Sequence, residues 1–237
     1  MYSFTSNIRF SEVDSDKHLT LTSLINYFQD CTIFESESLH TGFEYLETHH
    51  KCWVLSSWQV VIHRLPNFGE KILAGTWPYG FTALSGDRNF VLQNEDGENL
   101  VVANSFWVFT DTDTGRPAKL DPDYVSLYPM EPPLTMDYAP RKIALPETYT
   151  EETPFLVTKH HLDTNHHVNN AQYIRMAEDY LPANFLVSEF RAEYKKSAKL
   201  QDEIHPLVSI TEENCTVVLA DAAHKPFTTV QFIRKGK

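Results

Sequence analysis

Residues 162–174 read LDTNHHVNNAQYI, and residues 13–25 read VDSDKHLTLTSLI. Both stretches carry aspartate at the second position and histidine at the sixth, and both continue into an apolar pattern with helical spacing. The chain is therefore predicted to contain, twice, a polar turn followed by a helix.

A second pair of segments supports the same duplication. QVVIHRLPNFGEKI, which begins at Gln59, loosely matches RAEYKKSAKLQDEI, which begins at Arg191, at several apolar and basic positions. Such an internal repeat indicates two structural copies rather than one large sheet. We therefore predict an α+β protein made of two units, each a long helix wrapped by a curved antiparallel sheet.

The hydrophobic pattern gives the elements of each copy. After the TLT stretch at 20–22, which offers a threonine N-cap, apolar residues recur at helical spacing until Gly42, the expected helix end. Strands are expected in CWVLSSWQVVIHRL, KILAGTWPYG and FTALSGDRNFVLQNEDGENLVVANSFWVFTD. In the second copy the expected helix is NNAQYIRMAEDYL, and the expected strands are PFLVTKHH, EFRAEYKKSA, EIHPLVSITEE, CTVVLADAA and PFTTVQFI.

Proline density predicts the boundary between the copies. Residues 113–150 contain seven of the 13 prolines in the chain. Because proline lacks a backbone amide donor, this segment is expected to be an extended crossover rather than a central strand. We expect an N-terminal unit at 1–115, a proline-rich linker at 116–150 and a C-terminal unit at 151–237.

Charge and cysteine content disfavour several classes of protein. The formal net charge of −12 argues against a broad nucleic-acid-binding surface, which needs clustered lysine and arginine. The three cysteines are odd in number and widely spaced, so a reducing cytoplasm is expected rather than a disulfide framework. No apolar run is long enough to span a bilayer, and the opening MYSFTSNIRFSEVDSD has no signal-peptide or transit-peptide pattern.

Three side chains of different chemistry lie in the turn before the second helix. Asp163, Asn165 and His167 supply a base or nucleophile, a positioning group and a proton carrier. The backbone N–H groups of Asn169 and Asn170, at the expected helix start, are suited to binding an oxyanion. This set is sufficient for hydrolysis, although a polar turn seen alone is more often a structural helix cap.

The neighbouring histidines do not predict a metal site. Four of them lie between residues 160 and 167, but no cysteine and no HExxH helix accompanies them. Solvated or capping histidines explain this group better, and we expect neither a metal nor another cofactor.

The motif DTNHHVNNAQYI resembles the D-x-N-x-H-V-N-N-x-x-Y signature of the acyl-carrier-protein thioesterases of plants and bacteria. RFSEVDSDKHLTLTSLINYFQD resembles the start of the family's first unit, FWVFTDTDTGRPAKL the end of that unit's sheet, and EFRAEYKKSA the E-Y-R-R-E-C strand of the second unit. The motifs occur in the family's order and extend over nearly the whole chain. The resemblance implies two tandem hotdog units and hydrolysis of fatty acyl-acyl-carrier-protein thioesters, which releases fatty acids during their biosynthesis.

The resemblance also assigns residues to roles. It makes Asp163, Asn165 and His167 the expected catalytic residues. We expect the glutamate and cysteine of the E-Y-R-R-E-C strand to fall on Ser197 and Ala198, which would leave no thiol at that position for an acyl-enzyme. Asp163 is then either the general base for water or the nucleophile. Ser197 is a candidate for orienting water, with a plain strand serine as the alternative.

The first unit is expected to bind acyl chain rather than to react. It has Asp16 where the second copy has Asn165, and two adjacent carboxylates repel each other. The resemblance places the acyl-binding cavity in this unit. Its candidate tunnel residues are Phe28, Phe34, Trp53, Trp58, Phe106 and Trp107, most of which are expected to be core residues in any case.

The partner implied by the resemblance is an acidic acyl carrier protein bearing a phosphopantetheine-linked acyl chain. Because this chain is acidic too, repulsion has to be overcome by a local basic patch. The candidates are Arg191, Lys195, Lys196 and Lys199 near one strand, and Arg64 at the equivalent position of the first copy. Lysines that protect a sheet edge from aggregation are the alternative explanation.

Other activities share these features. An acyl-CoA thioesterase would use the same aspartate, and a non-catalytic hotdog protein would bind acyl chains or the carrier protein without cleaving the thioester. The D-x-N-x-H order disfavours a dehydratase. The sequence determines neither the acyl-chain length nor whether the protein is a monomer or a homodimer.

Overall fold

The computed structural model describes residues 1–236. Lys237, the last residue of the expected C-terminal unit, lies outside the described residues. The chain forms two compact units: residues 1–56 with 62–138, and residues 57–61 with the chain from Ala139 onward. The proline-rich segment expected at 116–150 is thus divided between the two units, and residues 57–61 of the first copy group with the second.

The first unit contains a long helix and an antiparallel sheet. Its elements are β1 (Tyr2–Asn7), α1 (Leu21–Ser38), α2 (Phe43–Thr48), β2 (Lys51–Ile62), β3 (Lys71–Phe81), β4 (Ser85–Gln93), β5 (Asn99–Asp111), β6 (Arg116–Pro117) and α3 (Pro122–Ser126). The strands pair in the order β1-β3-β4-β5, and β6 returns on β5. The meander of long strands is therefore confirmed for β3, β4 and β5, whereas β2 lies beside β5 rather than β3. Strand β1 adds an edge strand that the repeat pattern did not predict.

Helix α1 begins as predicted and ends earlier. The Thr20 side chain accepts a hydrogen bond from Ser23 N at 3.1 Å, which caps the helix. The helix ends at Ser38 because His40 adopts a left-handed backbone conformation, with φ of 56°. Gly42, the expected end of α1, instead precedes the first residue of α2.

The core of the first unit has an apolar part and a charged part. On α1, Leu24 and Phe28 are fully buried, and the Phe28 ring lies 5.1 Å from that of Phe90 on β4. Two turns further along the helix, Glu35 forms an ion pair with Arg88 of β4, and their side chains are only 2% and 8% exposed. Such a pair is costly to break, because either charge left alone would remain buried.

The second unit repeats the arrangement with a shorter helix. Its elements are β7 (Thr150–Glu151), β8 (Phe155–Leu156), α4 (Asn170–Glu178), β9 (Val187–Tyr194), β10 (Glu203–Ile210), β11 (Asn214–Ala220) and β12 (Pro226–Arg234). Residues 57–61 of β2 pair with β9, and the order continues β9-β12-β11-β10-β7, with β8 also on β10. Helix α4 packs on β11 and β12.

Two elements of the second unit are shorter than predicted. Helix α4 has nine residues and ends at Glu178, because Tyr180 and Leu181 donate to carbonyls three residues back and Pro182 follows. A long helix is therefore wrong for this unit. The expected strand PFLVTKHH contributes only β8, and its end forms a 3-10 turn at Lys159–His161.

The proline-rich segment is fastened to both units by buried polar side chains. In the first unit, Asn89 Oδ1 accepts hydrogen bonds from Leu134 N and from the Tyr138 hydroxyl, both at 3.0 Å. In the second unit, the Glu193 carboxylate accepts from Ile143 N at 2.9 Å. These contacts pair backbone amides that strand formation leaves unpaired, so the segment is not a free tether.

Asn89→Ala is expected to destabilise the first unit. Asn89 is fully buried, and its loss removes the acceptor for Leu134 N and the donor, Asn89 Nδ2, that lies 3.2 Å from the Ala103 carbonyl. The expected cost is about 2–3 kcal/mol in the free energy of unfolding, measured by urea denaturation. The exposed Asn7, changed to alanine, is the control. A cost below about 0.5 kcal/mol at Asn89 would contradict this role.

Candidate active site

The turn at residues 163–167 is built around the Asp163 carboxylate. Asp163 Oδ1 accepts hydrogen bonds from Asn165 N at 2.8 Å and from His167 N at 3.2 Å. The Asp163 amide donates to the His167 carbonyl at 2.8 Å, and His166 takes a left-handed conformation with φ of 59°. The predicted residues Asp163, Asn165 and His167 are thus brought together on one turn.

The first unit contains the same turn. Asp14 Oδ1 accepts from Asp16 N and His18 N, both at 2.9 Å, and the Asp14 amide donates to the His18 carbonyl at 2.9 Å. Lys17 occupies the left-handed position, with φ of 68°. The aspartate therefore has a structural role in both units, and chemistry must come from what differs between the two turns.

Three features of the second turn are chemically relevant. The only hydrogen bonds that the Asp163 carboxylate accepts within residues 1–236 end on Oδ1, so Oδ2 has no protein donor there. Asp163 and His167 are half-buried, whereas Asn165 is exposed. Since the first unit has Asp16 in place of Asn165, only the second turn combines a carboxylate, a neutral amide and an imidazole.

One of the two expected oxyanion donors at the start of α4 is already hydrogen-bonded within the chain. Asn169 caps the helix, its Oδ1 accepting from Ala171 N at 2.8 Å. The Asn169 amide itself donates to the His161 carbonyl at 2.8 Å. Asn169 N–H is therefore engaged by the chain and is wrong as an oxyanion donor in this conformation. Asn170, the first residue of α4, stays a prediction.

The expected positions of the family's glutamate and cysteine also need correction. Strand β9 ends at Tyr194, because Lys195 N and Lys196 N both turn to the Phe227 carbonyl. Ser197 and Ala198 lie past the strand, with Ser197 exposed. Within the strand, EFRAEY at residues 189–194 matches E-Y-R-R-E-C at Glu189, Arg191 and Glu193, so we place the motif on these six residues.

With the motif placed on residues 189–194, the chain retains the motif's second glutamate and lacks its cysteine. The glutamate position of the motif is held by Glu193, and the cysteine position by Tyr194. The carboxylate is therefore present and the thiol is absent. Glu193 accepts a hydrogen bond from Ile143 N and is paired with Lys195. Neighbouring residues of a strand point to opposite faces, so Tyr194 points away from Glu193.

Two tyrosines that sequence analysis did not single out lie beside the turn. The Tyr194 hydroxyl donates to the Asn170 carbonyl at 3.1 Å, and the Tyr173 hydroxyl accepts from Ala198 N at 2.8 Å. Burial raises the pKa of Tyr173 to about 12 and raises the pKa of Tyr194 as well, so both phenols stay protonated near neutral pH. The signal for Tyr173 was present, since it is the final tyrosine of the D-x-N-x-H-V-N-N-x-x-Y motif.

The five basic candidates fall into two groups. Three of them, Lys195, Lys196 and Lys199, are exposed after the end of β9. The backbone of Lys199 forms an isolated antiparallel β-bridge with that of His167. We call these three residues the lysine group. Arg191 instead donates to the Pro140 and Lys142 carbonyls and fastens the proline-rich segment. Arg64, in the first unit, forms a two-point ion pair with Glu70 at 2.8 and 2.7 Å.

The aromatic candidates differ in burial. Phe28 is part of the α1 core, and Trp53 is half-buried with its Nε1 donating to the Tyr124 hydroxyl at 2.9 Å. Phe106 and Trp107 on β5 are half-buried, and Trp58 is buried but belongs to residues 57–61, which group with the second unit. Phe34 is 47% exposed and rests edge-on against Phe4, so an interior position is wrong for it.

The part of the chain at residues 1–236 contains no group of three or more histidine, cysteine, aspartate or glutamate side chains placed to hold a metal ion. None of its helices combines the length and apolar character that a membrane crossing requires.

The chain matches two family models. The one described as acyl-ACP thioesterase N-terminal domain matches residues 1–128, and the one described as acyl-ACP thioesterase C-terminal domain matches residues 145–225. A palmitoyl-acyl carrier protein thioesterase of Gossypium hirsutum is 26% identical, covering 90% of this chain and 56% of the relative. An oleoyl-acyl carrier protein thioesterase of Arabidopsis thaliana is 26% identical, covering 87% and 63%. The chain thus spans little more than half the length of these curated relatives.

Solved structures confirm the fold. An acyl-ACP thioesterase from Bacteroides thetaiotaomicron has a TM-score of 0.89 at 22% identity, covering 98% of this chain and 97% of that one. A 12:0-ACP thioesterase from Umbellularia californica has a TM-score of 0.86 at 20% identity, covering 100% and 97%. The expected α+β hotdog architecture is therefore confirmed.

Because the turn occurs in both units, the same substitution can be made in each and the effects on stability compared. Asp163→Ala and Asp14→Ala each remove an acceptor for two backbone amides, so each is expected to cost about 1 kcal/mol in the free energy of unfolding. The corresponding asparagine variants keep the acceptor oxygen and should cost less. Urea denaturation of all four variants measures this. An Asp163→Ala cost several times that of Asp14→Ala would contradict equivalent structural roles.

Proposed function

Because the chain belongs to the acyl-ACP thioesterase family, we propose that it hydrolyses the thioester of fatty acyl-acyl-carrier protein, releasing the free fatty acid and ending chain elongation. The observation that carries the proposal is the turn of the second unit, which holds Asp163, Asn165 and His167 within five residues, next to the start of α4. The first unit has the same turn without the neutral amide.

Asp163 is the proposed general base. Its Oδ1 is fixed by two backbone amides, which orients the carboxylate and leaves Oδ2 to take a proton from water. The water oxygen then bonds to the thioester carbonyl carbon, and the C–S bond breaks as the tetrahedral intermediate collapses. His167 gives a proton to the departing thiolate, and Asn165 orients water or the carbonyl oxygen. The products are the fatty acid and the free thiol of the carrier protein.

The absence of a cysteine at the motif position and the raised thiol pKa values elsewhere support direct attack by water rather than an acyl-cysteine intermediate. Tyr194 holds the position of the motif's cysteine. Burial raises the pKa of Cys31 to about 12 and that of Cys215 to about 11, so neither thiol forms the reactive thiolate near neutral pH. Burial also raises the pKa of Cys52. The free thiols are compatible with the reducing cytoplasm that we propose as the location.

Substrate recognition is proposed to use separate surfaces for chain and carrier. The remaining aromatic candidates of the first unit are proposed to bind the acyl chain, whose length we leave unassigned. The lysine group is proposed to attract the acidic carrier protein or its phosphopantetheine phosphate, since Lys199 adjoins His167. Homodimer formation stays a prediction, which light scattering of the purified protein tests directly.

Asp163→Asn separates the chemical role of this residue from its structural one. The amide oxygen still accepts from both backbone N–H groups but does not act as a base, so kcat is expected to fall about 10²–10⁴-fold with the fold intact. Thiol release is measured with matched short, medium and long acyl-carrier-protein and acyl-CoA substrates. Asp14→Asn, the same change in the first unit, should keep kcat within about two-fold.

The outcomes of that assay distinguish the competing activities. Higher kcat/KM on carrier-protein thioesters supports the proposal, whereas preference for acyl-CoA would make the protein an acyl-CoA thioesterase. Full activity of Asp163→Asn would refute the assignment of the base. If the wild type cleaves neither class above the rate without enzyme, the chain is a non-catalytic acyl-binding relative.

Lys199→Glu tests the docking role of the lysine group. Lys199 is the cleanest choice, because Lys195 is paired with Glu193 and Lys196 lies over the Phe227 ring at 5.0 Å. We expect kcat/KM for the carrier-protein substrate to fall about five-fold, and kcat/KM for uncharged acyl-pantetheine to stay the same. Lys119→Glu, an exposed site of the first unit, is the control. Equal loss on both substrates would rule out docking.

A further inference from the structure

We infer that the hydroxyls of the buried Tyr173 and the half-buried Tyr194 position the candidate catalytic turn, and that Tyr194 does so at the place where the family motif has cysteine. The inference rests on the proposed thioesterase function. Each hydroxyl fastens one of the two segments that flank the turn. Neither is proposed to touch substrate, so both are positioning residues.

Tyr173 acts on the segment that follows β9. Its hydroxyl accepts from Ala198 N at 2.8 Å, and the Ala198 carbonyl accepts from Val168 N at 2.9 Å. Val168 directly follows His167. Tyr173 is 2% exposed and Ala198 is fully buried, so these bonds form where water does not compete. The orientation of His167 is thereby linked to a phenol on α4.

Tyr194 acts on the first turn of α4. Its hydroxyl donates to the Asn170 carbonyl at 3.1 Å, and its ring meets the Tyr173 ring edge-on at 6.0 Å. A cysteine on the same strand position has no atom that extends as far as the phenol oxygen. This contact is therefore a feature of the tyrosine, and it fixes the helix start beside which Asp163 and His167 lie.

The first unit serves as an internal comparison. In it, Leu19 N donates to the Pro66 carbonyl at 2.9 Å, as Val168 N does to the Ala198 carbonyl. By the repeat alignment, Leu24 replaces Tyr173 and Ile62 replaces Tyr194, and Pro66 has no amide to pair. The same turn thus forms without either phenol.

The comparison indicates what the phenols add. Folding of the turn does not require them, yet both are present in the unit that combines Asp163, Asn165 and His167. Reaction rates depend on the placement of catalytic groups to within about 0.5 Å, which a turn fastened on one side alone does not guarantee. The tyrosine pair restrains both flanks and so limits the motion of Asp163 and His167 relative to α4.

The test uses single-atom changes in the full chain. Tyr194→Phe and Tyr173→Phe remove one oxygen each, and Tyr27→Phe is the control. Tyr27 is a buried tyrosine of the first unit whose hydroxyl donates to Glu12 at 2.8 Å. With acyl-carrier-protein substrate, Tyr194→Phe is expected to lower kcat about ten-fold with KM changed less than two-fold, whereas Tyr27→Phe leaves kcat unchanged. The Tyr194→Cys variant should also have a kcat below that of wild type, because cysteine does not extend to the Asn170 carbonyl.

Hydrogen exchange provides a readout that is independent of activity. Amides of residues 165–170 are expected to exchange about ten-fold faster in Tyr194→Phe than in wild type, while those of β11 stay protected. Loss of stability with kcat and local exchange both unchanged would overturn the inference and leave the proposed function intact. The inference would also be overturned if amide exchange in Tyr194→Cys were the same as in wild type, or if kcat of Tyr194→Cys were at or above that of wild type. A wild type without thioesterase activity refutes the proposed function instead, and the exchange experiment then still decides whether the phenols hold the turn.

Discussion

The hydrogen bonds from two backbone amides to one aspartate oxygen are the constraint on which the rest of each unit depends. In the second unit they close a five-residue turn at Asp163, and in the first unit they close the same turn at Asp14. In both units the turn ends two residues before the residue that caps the following helix, Thr20 in the first unit and Asn169 in the second. Asp163 therefore serves a structural purpose before it serves a chemical one.

The two units show how a shared scaffold is given different properties by a few side chains. The first unit buries an ion pair, Glu35 with Arg88, between α1 and its sheet, whereas the second places the buried Tyr173 and the half-buried Tyr194 beside its turn. The proline-rich segment adds further polar contacts, through Asn89 in one unit and Glu193 in the other. Each of these groups pairs a backbone amide, a backbone carbonyl or a charge that burial would otherwise leave unsatisfied.

Local features were predictable from the sequence, and features that depend on tertiary contacts were not. The polar turn, the threonine cap of α1 and the long strands follow from short-range spacing. The predicted helix ends were less accurate. The left-handed residue that ends α1 is His40, whereas such positions are usually recognised in a sequence by glycine. The positions expected for the motif's glutamate and cysteine, Ser197 and Ala198, lie four residues beyond Glu193 and Tyr194, because the sequence pattern alone does not show that β9 ends at Tyr194.

The source of the oxygen in the released fatty acid tests the proposed role of Asp163 most directly. A single turnover of acyl-carrier protein in ¹⁸O-labelled water, followed by mass spectrometry of the fatty acid and of the peptide containing Asp163, distinguishes water attack on the thioester from an acyl-aspartate anhydride that water opens at the aspartate carbonyl. If Asp163 acts as a general base, the label appears in the released fatty acid and not in the peptide. Label in the peptide with an unlabelled first-turnover acid would contradict that role.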